Sequence, residues 1–407
     1  MPTSVGPKIY GKENLVFGYD LGDTDNSFKG KPATNHLTRI TQQYSDYDET
    51  YFKITNGSHV VDVPQLGRRT VKYVDVWNDY NSGSGQCCLS LFTFGTGITS
   101  VSGNTTYTYQ IIYKTDTGYS NTNYMYRYEY GAAGYIREGG LHSTGRRTHL
   151  GDGWYHAWGT VTLHPDTTYI NTYLFHYEYA TQNRVQVAAV MFTEGTEIIP
   201  PSQFLEVEET RSNVQGLLDI TGNSTLDISN VSFDSNAQME FDGTDDRISI
   251  PAGAIPTIGT SDFTMEFVCK NTKTSSYNHF FSVKDQYHFS FKASNSSGIL
   301  YAYRTSELST TNTIEAYIPS RTSYYHIVLK RSGDSLEIFI NGVSQGTKSG
   351  WDNAAIENNL YTSYIGWGNA SEYTGGEIPI AKIYNRALLA SEVQSNFNAI
   401  KGRFNIQ

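Results

Sequence analysis

The chain has 407 residues with a formal net charge of −10, and it is rich in Tyr (32) and Gly (37) while only 17% of its residues are charged. An acidic chain without a Lys/Arg run offers a polyphosphate nothing to bind, which argues against nucleic acid as a partner. No stretch reaches the roughly 18 apolar residues of a membrane span, so no membrane insertion is expected. The length predicts two or three domains, and the Tyr, Thr and Gly bias with few helix formers predicts strands.

Taken in chain order, residues 1–20 lack a basic start followed by an apolar core, so they are not read as a secretory signal. They are expected to form a polar, irregular arm that orders on docking to a partner. Residues 21–204 carry alternating segments at 70–77, 88–94, 106–113, 124–130, 154–163, 169–179 and 185–192, separated by polar turns. Strands at this spacing predict an antiparallel sandwich. Cys87 and Cys88 are adjacent and Cys269 stands alone, which predicts free thiols in a reducing compartment.

Pro200-Pro201 and the acids Glu206, Glu208 and Glu209 interrupt the pattern, and the expected boundary is a linker over 205–214. The second domain, 215–407, has strand signals at 262–270, 279–284, 287–293, 299–304, 313–318, 324–331, 335–340 and 361–367. Asn341-Gly342 predicts a two-residue hairpin between Ile340 and Val343. Ser391 to Gln394 reads as a capping box, Val393, Phe397 and Ile400 share one helical face, and Gly402 is expected to end the helix.

Three candidate chemistries emerge. Tyr124, Tyr126, Tyr128 and Tyr130 alternate, as do Tyr173, Phe175, Tyr177 and Tyr179, so each set occupies one strand face. Aromatic planes stack on sugar rings, which makes Tyr124, Tyr126, Tyr128, Tyr173 and Tyr177 candidate glycan-binding residues. The intervening Arg127, Glu129, His176 and Glu178 are polar, however, and the simpler expectation turns the tyrosines toward the core or a neighbouring subunit. Asp242, Asp245 and Asp246 supply hard oxygens suited to calcium, or equally form a solvated turn; no other cofactor is expected. Catalysis is not expected: the E-x-D-x-x-E alternation of sandwich glycosidases is absent, as are HExxH, G-x-S-x-G and P-loop patterns. His176 and Glu178 echo half of a zinc-deaminase signature, without the P-C-x-x-C that completes it.

Phe241 to Pro251, Leu336 to Val343 and Gly376 to Phe404 together resemble the concanavalin A-like, laminin-G-like jelly rolls of tailed-bacteriophage virion proteins, a likeness covering roughly 215–404. More loosely, Gly153 to Trp158 with Val185 to Met191 is similar to jelly-roll carbohydrate-binding modules. The resemblance implies an all-β chain of two antiparallel β-sandwich (jelly-roll) domains with a short C-terminal helix. It further implies a virion structural protein folded in the host cytoplasm and displayed on the particle as a capsid decoration or fibre-type adhesin. Its expected partners are other virion proteins, host surface glycans and further copies of itself. A stand-alone lectin and a glycan-degrading enzyme are the alternatives.

Overall fold

The computed structural model describes residues 13–37, 41–43, 52–78, 88–90, 97–115, 123–142, 146–174, 183–233, 239–273, 277–283, 289–294, 298–303, 313–318, 320, 323–351, 355–368 and 371–407. The chain is all-β with one C-terminal helix, and every sheet pairing is antiparallel. It divides into two compact units. One comprises Met1–Lys31, Ser212–Asp234 and Gln238–Gln407; the other comprises Pro32–Arg211 with Ser235–Ala237. The N-terminal sandwich is therefore an insertion into the C-terminal one.

This arrangement corrects two expectations. Leu15–Asp20 is a strand of the C-terminal sandwich, not part of an irregular arm; it pairs with Gly375–Tyr384 from Leu15↔Tyr384 to Asp20↔Ile380. Phe17 and Tyr19 enter that core fully buried, and the Tyr19 hydroxyl donates to Ile378 O at 2.9 Å. The linker expected over 205–214 is also partly structured. Leu205 is buried, Asn35 Nδ2 donates to its carbonyl, and Thr210–Arg211 pairs with Ala33–Thr34.

In the C-terminal sandwich, one sheet of eight strands has Gly375–Tyr384, Phe263–Asn271 and Tyr325–Ser332 at its centre. A second sheet of six runs Ile248–Ile250, Ser363–Ile365, Asn278–Val283, Phe289–Ala293, Ile299–Tyr303, Ile314–Tyr317. Phe263, Met265, Phe267 and Cys269 point one way into the shared core, against Phe280, Phe289 and Phe291. Thr264, Glu266 and Val268 point the other way and are buried as well, because the helix Ala390–Phe404 covers that side. Val393, Phe397 and Ile400 form its buried face, as their spacing predicts.

The helix termini differ from the sequence reading. The N-cap is Leu389 and not Ser391; its N–H donates to Glu392 Oε2 at 2.8 Å, so the returning carboxylate of the box is present while the Leu389 side chain has no acceptor to offer. Gly402 lies inside the helix, and Asn405 takes the left-handed position at φ 51°, ψ 41°. The Asn341-Gly342 hairpin forms as expected, with φ of 51° and 79° and Ile340 opposite Val343.

In the inserted unit, the six-stranded sheet has Thr106–Thr115 between Trp154–Thr162 and Asn183–Glu194. The five-stranded sheet runs Thr41–Gln43, Cys88–Ser90, Tyr169–Leu174, Asn123–Gly131, Gly134–His142. Tyr107, Tyr109, Ile111, Tyr113 and Phe192 supply much of its core. Cys269 of the other unit is a buried free thiol whose pKa burial pushes up.

Candidate functional site

On the tyrosine-bearing strand Asn123–Gly131, Tyr128 and Tyr130 do not turn into the core. Arg127 and Glu129 are buried, while Tyr128 and Tyr130 are half-buried. The polar pair satisfies itself inside: Glu129 Oε1 accepts from Arg127 Nε at 2.8 Å and from Arg137 Nε at 2.9 Å. Its Oε2 accepts from the His164 N–H at 2.7 Å and from the Thr167 hydroxyl at 2.8 Å. Burial by itself raises the Glu129 pKa; these donors outweigh it, and the carboxyl ends below its ordinary value. With the charges turned inward, the tyrosines are left at the surface. Tyr130 stacks on Tyr169 at 4.8 Å and 2°, and meets the exposed Tyr135 edge-on at 6.0 Å.

Register places Tyr128 opposite Asn171 and Tyr126 opposite Tyr173. Of the five candidate tyrosines, Tyr128 is thus a neighbour of the stacked pair. Tyr124, Tyr126 and Tyr173 are described in backbone only, and Tyr177, with His176 and Glu178, lies outside the described residues.

A second aromatic cluster, missed by sequence reasoning, stands on the outward side of the six-stranded sheet of the C-terminal sandwich. A short hairpin, bridged at Trp367↔Tyr373, crosses this side, held by Ser282 Oγ donating to Trp367 O at 2.6 Å and Thr374 Oγ1 donating to His279 O at 3.0 Å. Tyr364 and Trp367 pack edge-to-face at 4.5 Å, and Tyr373 lies 6.1 Å from Trp367. The Arg247 guanidinium sits over both Trp367 (5.0 Å) and Tyr364 (5.8 Å). Further along the sheet, Lys292 Nζ lies 3.7 Å over Tyr277, which touches Tyr301 edge-on. Tyr364 and Tyr301 are three strands apart, about 14 Å at ordinary strand spacing. The signal that could have found this cluster was the aromatic content of 361–373, but Arg247 comes from a remote segment.

Between the two aromatic groups lies a Ser–His–Glu chain. His279 Nδ1 is 2.9 Å from Ser290 Oγ and its Nε2 2.7 Å from Glu372 Oε2. Burial lowers the His279 pKa to about 4, so the neutral ring donates from Nε2 to the carboxylate and accepts the serine proton at Nδ1. The residue order is that of an acyl-transfer triad with the two ring nitrogens exchanged, and Ser290 and His279 are both 0% exposed, so no substrate reaches the hydroxyl.

Asp242, Asp245 and Asp246 do converge, their oxygens within 4.8 Å of one another. The arrangement is a self-satisfied turn. Asp246 Oδ2 accepts from the Asp242 N–H (2.7 Å) and the Ser232 hydroxyl (2.9 Å), and Asp242 Oδ1 accepts from the Thr244 N–H (2.7 Å). Burial raises the Asp246 pKa, and Lys273 Nζ already donates to the Gly243 carbonyl of the same loop. Calcium takes roughly six to eight oxygens, of which these three carboxylates supply a part. A cavity of about 280 Å³ opens beside the start of the helix, but Arg386 and Glu392 at its wall pair bidentately at 2.7 Å, and Asn396 donates to Glu266 at 2.8 Å.

Residues 242–394 match the family model of the concanavalin A-like lectin/glucanases superfamily, the stretch that contains both the hairpin and the helix start. A comparison with curated protein sequences found no match. Among solved structures, domain 4 of an extracellular arabinanase from Geobacillus stearothermophilus is 14% identical, covering 42% of this chain and 80% of that one, with a TM-score of 0.32. The binding domain of Paraclostridial Mosquitocidal Protein 1 is 18% identical over 45% of this chain and 49% of that one (TM-score 0.38). A Ruminococcus gnavus sialidase CBM40 is 16% identical over 34% and 85% (TM-score 0.30). Likenesses of this size fix neither ligand nor activity.

Proposed function

We propose that the chain is a non-catalytic glycan-binding protein, displayed on a tailed-bacteriophage particle as a capsid decoration or fibre-type adhesin after folding in the host cytoplasm. The observation that carries the binding reading is the pair of half-buried tyrosines Tyr364 and Tyr373, packed on the largely buried Trp367 on the outward side of a sandwich matched over 242–394 to a lectin superfamily. Aromatic planes at a surface accept the C–H faces of sugar rings, and phenol hydroxyls serve the ring oxygens. The stacked Tyr130–Tyr169 pair with Tyr135 forms a second station on the inserted unit for the same ligand class. Ser290 and His279, both fully buried, offer no nucleophile to a ligand on this face, which supports binding without turnover. The particle setting rests on the likeness of Phe241 to Pro251, Leu336 to Val343 and Gly376 to Phe404 to virion jelly rolls, and virion proteins, further copies of the chain and host glycans are the partners it entails.

The test is a glycan array probed with the full chain and with Trp367→Ala. Binding to a defined glycan set that falls about tenfold or more in the variant supports the reading; absence of binding to every glycan contradicts it. Labelled protein added to phage particles tests the setting, and failure to bind any particle removes it.

A further inference from the structure

We propose that the Arg247–Trp367 station selects a sugar bearing a carboxylate, such as a uronic or nonulosonic acid residue of a surface polysaccharide. The proposal rests on the glycan-binding reading above and names the ligand chemistry of that face. Arg247 is the central observation. Arg247 is half-buried and makes no ion pair among the described residues, although several acids lie close in sequence or fold.

Those acids are otherwise engaged. Asp242 and Asp246 accept from backbone N–H groups and from Ser232, and Glu372 is held by His279 at 2.7 Å and Lys292 at 3.4 Å. Asp245 is exposed. Arg247 lies instead over two aromatic rings, 5.0 Å from Trp367 and 5.8 Å from Tyr364, with no acid opposite its guanidinium fork. That fork matches the two oxygens of a carboxylate.

A second donor without a partner lies beneath it. The indole Nε1–H of Trp367, a residue only 9% exposed, has no hydrogen-bond acceptor in the structure. Unpaired buried donors are rare and call for an explanation. Here the indole is buried and Arg247 lies over its ring, so first contact with a ligand falls to the guanidinium. A neutral sugar satisfies the stacking face of Tyr364 but leaves Arg247 without a partner.

The experiment measures binding of the full chain to polygalacturonate, polysialate and hyaluronan, each beside the same polymer with its carboxyl groups reduced to alcohols. The expected result is at least about a tenfold preference for one or more native polymers, weakening as sodium chloride is raised. Arg247→Ala removes the preference while binding to the reduced polymer persists and the melting temperature holds; Arg247→Lys retains part of the preference. Equal binding to every native and reduced pair, or a preference unchanged in Arg247→Ala, overturns the carboxylate inference and leaves the glycan reading standing. Binding to neutral glycans of the array alone does the same, whereas binding to no glycan at all overturns both.

Discussion

The two outward faces of the C-terminal sandwich carry the same three side-chain types in different surroundings. On the eight-stranded sheet, Glu266 bonds His326 at 3.0 Å with Lys382 nearby, and the helix Ala390–Phe404 closes over them, adding Asn396. On the six-stranded sheet, Glu372 bonds His279 and Lys292 beneath a short hairpin, and its side chain remains 17% exposed. The first trio is sealed and structural. The second sits at the edge of a face that presents Tyr364, Tyr373 and Arg247, packed on the largely buried Trp367. One sheet thus spends its outer face on fixing the fold, while the other leaves aromatic area at the surface.

The largest effect is expected from the strand that closes the roofed sheet. Removing residues 13–20 takes Phe17 and Tyr19 out of the core and should unfold the C-terminal unit; Phe17→Ala alone should cost about 3–5 kcal/mol. Chemical denaturation checks both, and an unaltered midpoint would return these residues to the status of an arm. Conversely, excising 32–211 and joining Lys31 to Ser212 through a short Gly/Ser link should leave a folded sandwich, since Lys29 N–H already reaches Gly216 O at 2.8 Å.

Next in size, Glu266→Gln leaves Lys382 buried beside a neutral amide and should cost about 3–5 kcal/mol, whereas Glu372→Gln, at a partly wetted site, should cost less. Equal losses would mean that the two faces are not different environments.

Acid titration separates the faces further. Burial raises the Glu266 pKa, but the bonds from His326 and Asn396 and the Lys382 charge outweigh it and bring the group down to about 2. A depressed carboxyl contributes stability above its unfolded pKa and loses it as pH falls toward the folded one, so this contribution should fade between about pH 4.5 and 2. His279, lowered to about 4 by burial, is kept neutral by the fold, and its share should fade earlier, as pH falls from 6.5 to about 4. In the Glu266→Gln variant the lower window should vanish while the upper persists. The smallest effect on stability is expected at Arg247→Ala, within about 0.5 kcal/mol, because the side chain packs at the surface.

Local signals in the sequence were sufficient for the Asn341-Gly342 hairpin, the apolar face of the helix and most strands of the C-terminal half. What escaped was non-local. Leu15–Asp20 finds its partner more than three hundred residues away, as the Tyr19–Ile378 bond shows, and nothing near it in sequence announces that pairing. Val343–Ser349 is an exposed edge strand without apolar alternation to betray it. Arg127 and Glu129 look solvated one at a time; buried together with Arg137, His164 and Thr167 they satisfy one another, and only the fold brings those partners together. For the same reason Arg247 could not be placed on Trp367 from sequence, though Tyr364, Trp367 and Tyr373 lay within one short stretch.

The most direct test of the central claim, that the open face binds glycan while the roofed face holds the fold, is the affinity of Trp367→Ala and Glu266→Gln for one array-identified glycan, measured by calorimetry below both unfolding transitions. The account predicts that Trp367→Ala loses about tenfold or more in affinity, while Glu266→Gln binds like the parent chain despite its lower stability. Parent-like binding by Trp367→Ala, or a matching loss in folded Glu266→Gln, would contradict it.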